Sequence, residues 1–116
     1  DDAKQAPFAE AEAGATGLEL LLPLTLRWAT DMKLPLVKAL ARVTSDAARV
    51  LGIPAGTLAP GSAADICIFD PGATFRVGRE TLRSQGKNTP FLGHDLKGRV
   101  RYTLIDGHLA HHDEFA

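Results

Sequence analysis

The sequence predicts an α+β chain in which helices come first and short strands follow. Three observations carry that reading. Apolar residues recur at helical spacing between Leu18 and Leu51. From Gly52 onward, Gly and Pro return every few residues between short runs of strand-forming side chains. The 116 residues are 45% hydrophobic and 23% charged, which suits one small globular unit. The expected division is a loop plus helices over residues 1–52 and a β module over residues 53–116.

The elements follow in order. Residues 1–17 read as loop, with Gly14 and Gly17 able to take positive φ and to bring backbone close to a ligand. Thr16, with Glu19 three residues on, has the spacing of a capping box. A helix is expected over Leu18–Ala29, apolar around most of its circumference and hence buried on several sides. Pro23 requires that this helix start near it. A second helix is expected from near Pro35 to about Arg42. Leu36, Val37, Leu40 and Val43 form its apolar stripe, and Lys38 and Arg42 face outward. Thr44 is the expected cap of a third helix, Ser45–Leu51, with Asp46 complementing the dipole of its first turn. Gly52 stands at the residue just past the helix end, with Pro54 beyond it.

Strands are expected at 64–69, 73–77, 99–105 and 108–111. Asp70-Pro71-Gly72 reads as a turn between the first two, and Asp106-Gly107 as a tight hairpin turn. Arg99 and Arg101, alternating with Val100, read as the solvent face of an edge strand.

Charge and chemistry exclude more than they assign. The net charge of −1 argues against a nucleic-acid surface, which needs a basic excess. The longest apolar run, Leu20–Leu24, is far too short to span a membrane, and no secretory leader is visible, so a cytoplasmic protein is expected. The single cysteine, Cys67, cannot form an internal disulfide and reads as a buried thiol in an apolar run. Of the four histidines, His94 reads as a surface residue. His108, His111 and His112, with Asp113, read as an exposed tail rather than a metal site. No catalytic constellation and no metal-ligand motif appears in the chain, so no catalytic residue, metal ligand or cofactor of its own is expected.

Three stretches carry a resemblance. AEAGATGLELLLPL, residues 11–24, resembles the segment after the last barrel strand of class I dihydroorotases, where Ala13 and Gly14 match a Phe-Gly step. GSAADICIFDP, residues 61–71, resembles a strand found near the C-terminal end of many amidohydrolase-superfamily enzymes. SQGKNTPFLGHDLKGRVRYTLIDG, residues 84–107, closely matches a dihydroorotase pattern, and its GKNTPFLG core is the most specific of the three. Residues 36–52 also resemble the helices of that family, so the likeness covers nearly the whole chain.

The resemblance implies a fold and a chemistry. The fold would be the last helices of a β/α-barrel followed by the C-terminal part of a small β-sandwich. The family interconverts N-carbamoyl-aspartate and dihydroorotate in pyrimidine synthesis, using zinc held by residues that would precede Asp1. The chain would therefore lack catalytic activity of its own. Ala13 and Gly14 would keep the place of a substrate-contacting backbone, against the competing reading of a plain surface loop. Departures at Glu12, Leu20 and Leu21 resemble dihydroorotase-like proteins that have lost zinc ligands and accompany aspartate carbamoyltransferase as structural subunits. That is the first expectation, and a portion of an active zinc dihydroorotase is the second. A hydantoinase, allantoinase or deacetylase is a third, opposed by GKNTPFLG. The expected partners are the rest of the barrel or another copy of the chain, because faces of residues 18–51 would otherwise lie open and promote association.

Overall fold

A computed structural model describes residues 14–113. A single 3-10 turn, Leu18–Leu20, runs into helix α1, Leu21–Asp31. Pro23 is the third residue of α1, where its missing N–H would have had no partner inside the helix, so the proline starts the helix rather than breaking it. Lys33, in left-handed conformation at φ 54°, closes α1. Its N–H donates to Thr30 O at 3.2 Å, and the N–H of Leu34 donates to Ala29 O at 2.8 Å.

Helix α2, Leu36–Val43, starts behind Pro35, and helix α3, Ser45–Leu51, follows after one residue. Gly52 ends α3 at φ 69° as expected, with Gly52 N–H donating to Arg49 O and Ile53 N–H to Ala48 O. The expected caps are corrected. Thr44 occupies the cap position, but its hydroxyl donates back to Leu40 O at 2.7 Å. The cap of the first turn is Gly17, not Thr16, and no side chain caps it.

The sheet has three antiparallel strands in the order β1 (Ile66–Arg76), β2 (Asp95–Ile105) and β3 (His108–His112). The two strands expected at 64–69 and 73–77 are one strand, because both halves pair with β2. Asp70-Pro71-Gly72 is a bulge inside it, not a turn between strands. The register jumps from Asp70–Arg99 to Thr74–Lys97, and Gly72 N–H donates to Asp70 Oδ1 at 2.9 Å. The Asp106-Gly107 turn stands as expected, both residues having positive φ, 50° and 79°.

β2 is the central strand, but β3 pairs only with its Tyr102–Ile105 part. Arg101 O accepts from Asp113 N–H at 2.8 Å, so Arg101 is not on an open edge, whereas Arg99 pairs with Asp70 of β1 and with no residue of β3. Both arginines bind the carboxylate of Asp113, at 2.6 and 3.1 Å, and Arg101 also reaches Asp70 at 3.5 Å. The strand expected at 108–111 is β3, so the histidines read as a tail lie in an edge strand, with His111 opposite Thr103 and His112 opposite Tyr102 and a register shift between Thr103 and Leu104. His108 and His112 are exposed, as expected.

The core joins the helical start to the sheet. Leu20, Val77, Leu82 and Leu96 are buried together, with Leu24, Phe75 and Phe91 packed against them. Helix α1 buries Leu26 and Ala29 but leaves Leu21 and Trp28 exposed, as is Met32 just past its end, so it is covered on one side rather than several. Helix α2 buries Ala39 completely, while Leu36 and Val37 of its expected stripe are exposed, Val37 at 79%. Among the described residues no helix is long and apolar enough to cross a membrane.

Candidate functional site

Of the two residues the resemblance assigns to substrate contact, Ala13 lies outside the described residues. Gly14 is exposed and left-handed, at φ 76°, in a conformation that favours glycine. What holds it is the loop over residues 82–91. Gly14 O accepts a hydrogen bond from Asn88 Nδ2 at 3.5 Å, and Thr16 N–H donates to Asn88 O at 2.5 Å. Two residues past Gly17, Glu19 turns its carboxylate to the same loop. Oε1 accepts from Arg83 N–H at 2.8 Å, and Oε2 accepts from Ser84 N–H at 2.7 Å and Ser84 Oγ at 2.5 Å.

The loop can do this because its two ends are anchored. Leu82 belongs to the core, and Phe91 packs against it. Thr89 is buried and its hydroxyl oxygen accepts from Phe91 N–H at 3.2 Å. Between them Lys87 Nζ donates to Leu82 O, drawing the loop into a closed curve. Gly86 lies against Thr16, where a Cβ at residue 86 would come within 2.5 Å of Thr16 Oγ1. Glycine there allows the two segments to touch.

Burial pushes the pKa of Glu19 up. The Ser84 hydroxyl, the Arg83 and Ser84 amides and the charge of Lys87 outweigh it, and the carboxylate titrates below its ordinary value of 4.5. A depressed folded pKa means that the stabilisation is complete at neutral pH. It is lost as the pH falls below 4.5 and through the folded value. Hydrogen exchange of the Ser84 amide, corrected for intrinsic rates, is therefore expected to lose protection in that acid range before the core does. Equal loss at both places would contradict it.

The other candidates do not converge. Cys67 is exposed, not buried as expected, because its part of β1 is left uncovered. Partial burial still pushes its thiol pKa up, which disfavours the thiolate. His94 is exposed, as expected, and stacks edge-on against Phe91 with ring centres 5.6 Å apart. Among the described residues no group of three or more His, Cys, Asp or Glu could hold a metal ion, so these residues do not fit the zinc that the resemblance implies. An open cleft of about 540 Å³ lies where α1 turns into α2, lined mainly by apolar residues that include Leu26, Leu34, Leu36 and Pro71. It includes neither Gly14 nor any residue of the 82–91 loop.

Gly14 and GKNTPFLG stand far apart in the sequence, and nothing in either stretch predicts that they meet. The bonds of Glu19 reach across 64 and 65 residues of sequence, and no local spacing reports such a pairing. The spacing of Glu19 from Thr16 predicts a capping box, but the structure gives its carboxylate to Arg83 and Ser84 instead.

Comparison with known proteins follows the same segments. Residues 14–111 match the Amidohydrolase family. The chain is 53% identical over 95% of its length to a dihydroorotase-like protein of Pseudomonas aeruginosa, covering 26% of that protein. It is 41% identical over 96% of its length to a dihydroorotase of Syntrophus aciditrophicus, again 26% of that protein. In structure it is similar to a D-hydantoinase, with a TM-score of 0.81 and 25% identity over 93% of this chain and 24% of that one. It is also similar to the L-hydantoinase of Arthrobacter aurescens, with a TM-score of 0.81 and 31% identity over 90% of this chain and 24% of that one. The chain thus spans about a quarter of the length of the proteins it matches.

Proposed function

Because this chain belongs to the amidohydrolase family and is dihydroorotase-like in sequence, we propose that it forms the C-terminal portion of a dihydroorotase-like protein of pyrimidine synthesis whose role is structural. In this reading the helices complete a β/α-barrel, the sheet is its share of a small β-sandwich, and the protein works in the cytoplasm beside aspartate carbamoyltransferase. The observation that carries it is the 53% identity to a dihydroorotase-like protein, against 41% to a dihydroorotase. The uncovered apolar side chains of α1, α2 and the turn between them support it, since Leu21, Trp28, Met32 and Val37 suit packing against further polypeptide better than water.

A second reading has its own support. A loop from another part of the chain lies against this segment, Asn88 reaching Gly14 O at 3.5 Å and accepting from Thr16 N–H at 2.5 Å, and such support suits a substrate-contacting segment. In that reading the protein is an active zinc dihydroorotase interconverting N-carbamoyl-aspartate and dihydroorotate. Ala13 and Gly14 touch the substrate, and the zinc is held elsewhere in the protein.

Zinc content and dihydroorotate hydrolysis of the full-length protein separate the two. The structural reading expects no stoichiometric zinc, no turnover, and co-elution with aspartate carbamoyltransferase in size-exclusion chromatography. Bound zinc with turnover replaces it by the second reading. The residues described here, expressed alone, are expected to associate in light scattering through their open apolar faces. A monodisperse monomer would count against that use of the surface.

A further inference from the structure

We propose that Glu19, Ser84 and Asn88 form a positioning clasp that fixes the backbone of residues 14–17, so that the loop over residues 83–88 sets the geometry of the ligand-contacting segment without touching the ligand. The inference deepens the second reading above, in which Gly14 touches the substrate, and rests on that reading for its ligand.

The argument is one of constraint. Residues 14–17 have no helix or strand of their own, and Gly14 sits in a conformation that an unrestrained chain would readily leave. On one side Asn88 bonds the segment through two groups, its side-chain amide to Gly14 O and its carbonyl from Thr16 N–H. On the other side the Glu19 carboxylate takes three hydrogen bonds from Arg83 and Ser84. Charge-assisted bonds of this length are the strong kind. A plain surface loop needs neither attachment, because water satisfies its backbone groups. Here two separate points of the same loop grip the segment on both sides of Gly17. The loop itself is tied to the core at Leu82 and Phe91. The position of Gly14 is thereby referred to the rigid part of the molecule, as a binding segment requires and a spacer does not.

The Thr16 amide distinguishes a clasp from independent contacts, because it bonds Asn88 and not Glu19. In the full-length protein, Glu19→Ala and, separately, Ser84→Ala are compared with wild type by site-resolved hydrogen exchange and by thermal melting. If the clasp acts as a unit, the Thr16 amide exchanges at least about tenfold faster in Glu19→Ala while the melting temperature and core amides barely move. Ser84→Ala gives a smaller change in the same direction, and Ser84→Thr, which keeps the hydroxyl, restores protection. Unchanged exchange at Thr16 overturns the proposal, and so does a loss of protection spread evenly over the core, which would mark a merely structural contact.

Dihydroorotate serves as the probe in a parallel binding titration. Where wild type binds it, Glu19→Ala is expected to bind about tenfold more weakly, and equal affinity overturns the proposal. Where wild type does not bind it, the assignment of Gly14 to that ligand fails by itself, and the Thr16 exchange still decides the clasp.

Discussion

Gly98→Ala is expected to destabilise the protein by about 2–4 kcal/mol, combining a strained backbone with an overpacked contact. Gly98 is buried in the central strand at φ 107°, a region that side chains with a Cβ rarely enter. An added Cβ would also stand 2.5 Å from Leu26 Cδ1 and 3.6 Å from Pro23 Cα. This residue is where α1 lies down on β2, and it faces the bulge that interrupts β1 between Asp70 and Thr74. Urea unfolding is the measurement, with the midpoint falling and the slope unchanged. Adding Leu26→Ala to Gly98→Ala removes the clash but not the strain, so the double variant should show favourable coupling without regaining wild-type stability. A Gly98→Ala protein as stable as wild type would mean that α1 and β2 are not held this closely.

Leu20→Ala is expected to cost about 2–5 kcal/mol, the range for deleting a buried leucine side chain. Leu20 is 1% exposed and meets Val77 just past the end of β1, Leu96 of β2 and Leu82 at the start of the 82–91 loop. Small domains have only about 5–15 kcal/mol of stability in total, so this one change removes a large part of it. It should also loosen residues 14–17, because Leu20 lies three residues beyond Gly17 and one beyond Glu19. Lys38→Ala, exposed on α2, is the control and should change stability by no more than about 0.5 kcal/mol. Thermal and urea unfolding of the two variants give the comparison, and similar losses would show that the buried cluster is not the main source of stability.

Several features of the fold could be read from short stretches because their causes are local. Asp106-Gly107 makes a tight turn wherever two strands flank it. Gly52 ends α3 because a left-handed residue is needed there and glycine takes it without penalty. Pro23 marks the start of α1 because only the first turn tolerates it. The readings that failed depended on a partner elsewhere in the chain. Asp70-Pro71-Gly72 has the chemistry of a turn and makes the same local hydrogen bond in a bulge. Only the pairing of β2 with both flanks decides between them. Arg99 and Arg101 alternate like an edge strand, yet β3 pairs with the Tyr102–Ile105 part of β2 and Asp113 N–H reaches Arg101 O, which leaves only the Arg99 part open on that side. Cys67 lies in an apolar run, and its exposure depends on what covers the sheet.

The candidate site divides in the same way. From the sequence alone came the family resemblance, the order of helices before strands, the permissive glycine at residue 14 and the distinctive stretch from Gly86 to Gly93. These are properties of residue type and short-range spacing. Only the tertiary structure joined the two segments. It gave the Glu19 carboxylate to Arg83 and Ser84, and it placed Asn88 on both Gly14 and Thr16. A carboxylate three residues from a threonine can close a capping box or reach a loop 64 residues away with the same chemistry. The choice falls to the buried cluster of Leu20, Val77, Leu82 and Leu96, which brings the two segments within reach of each other.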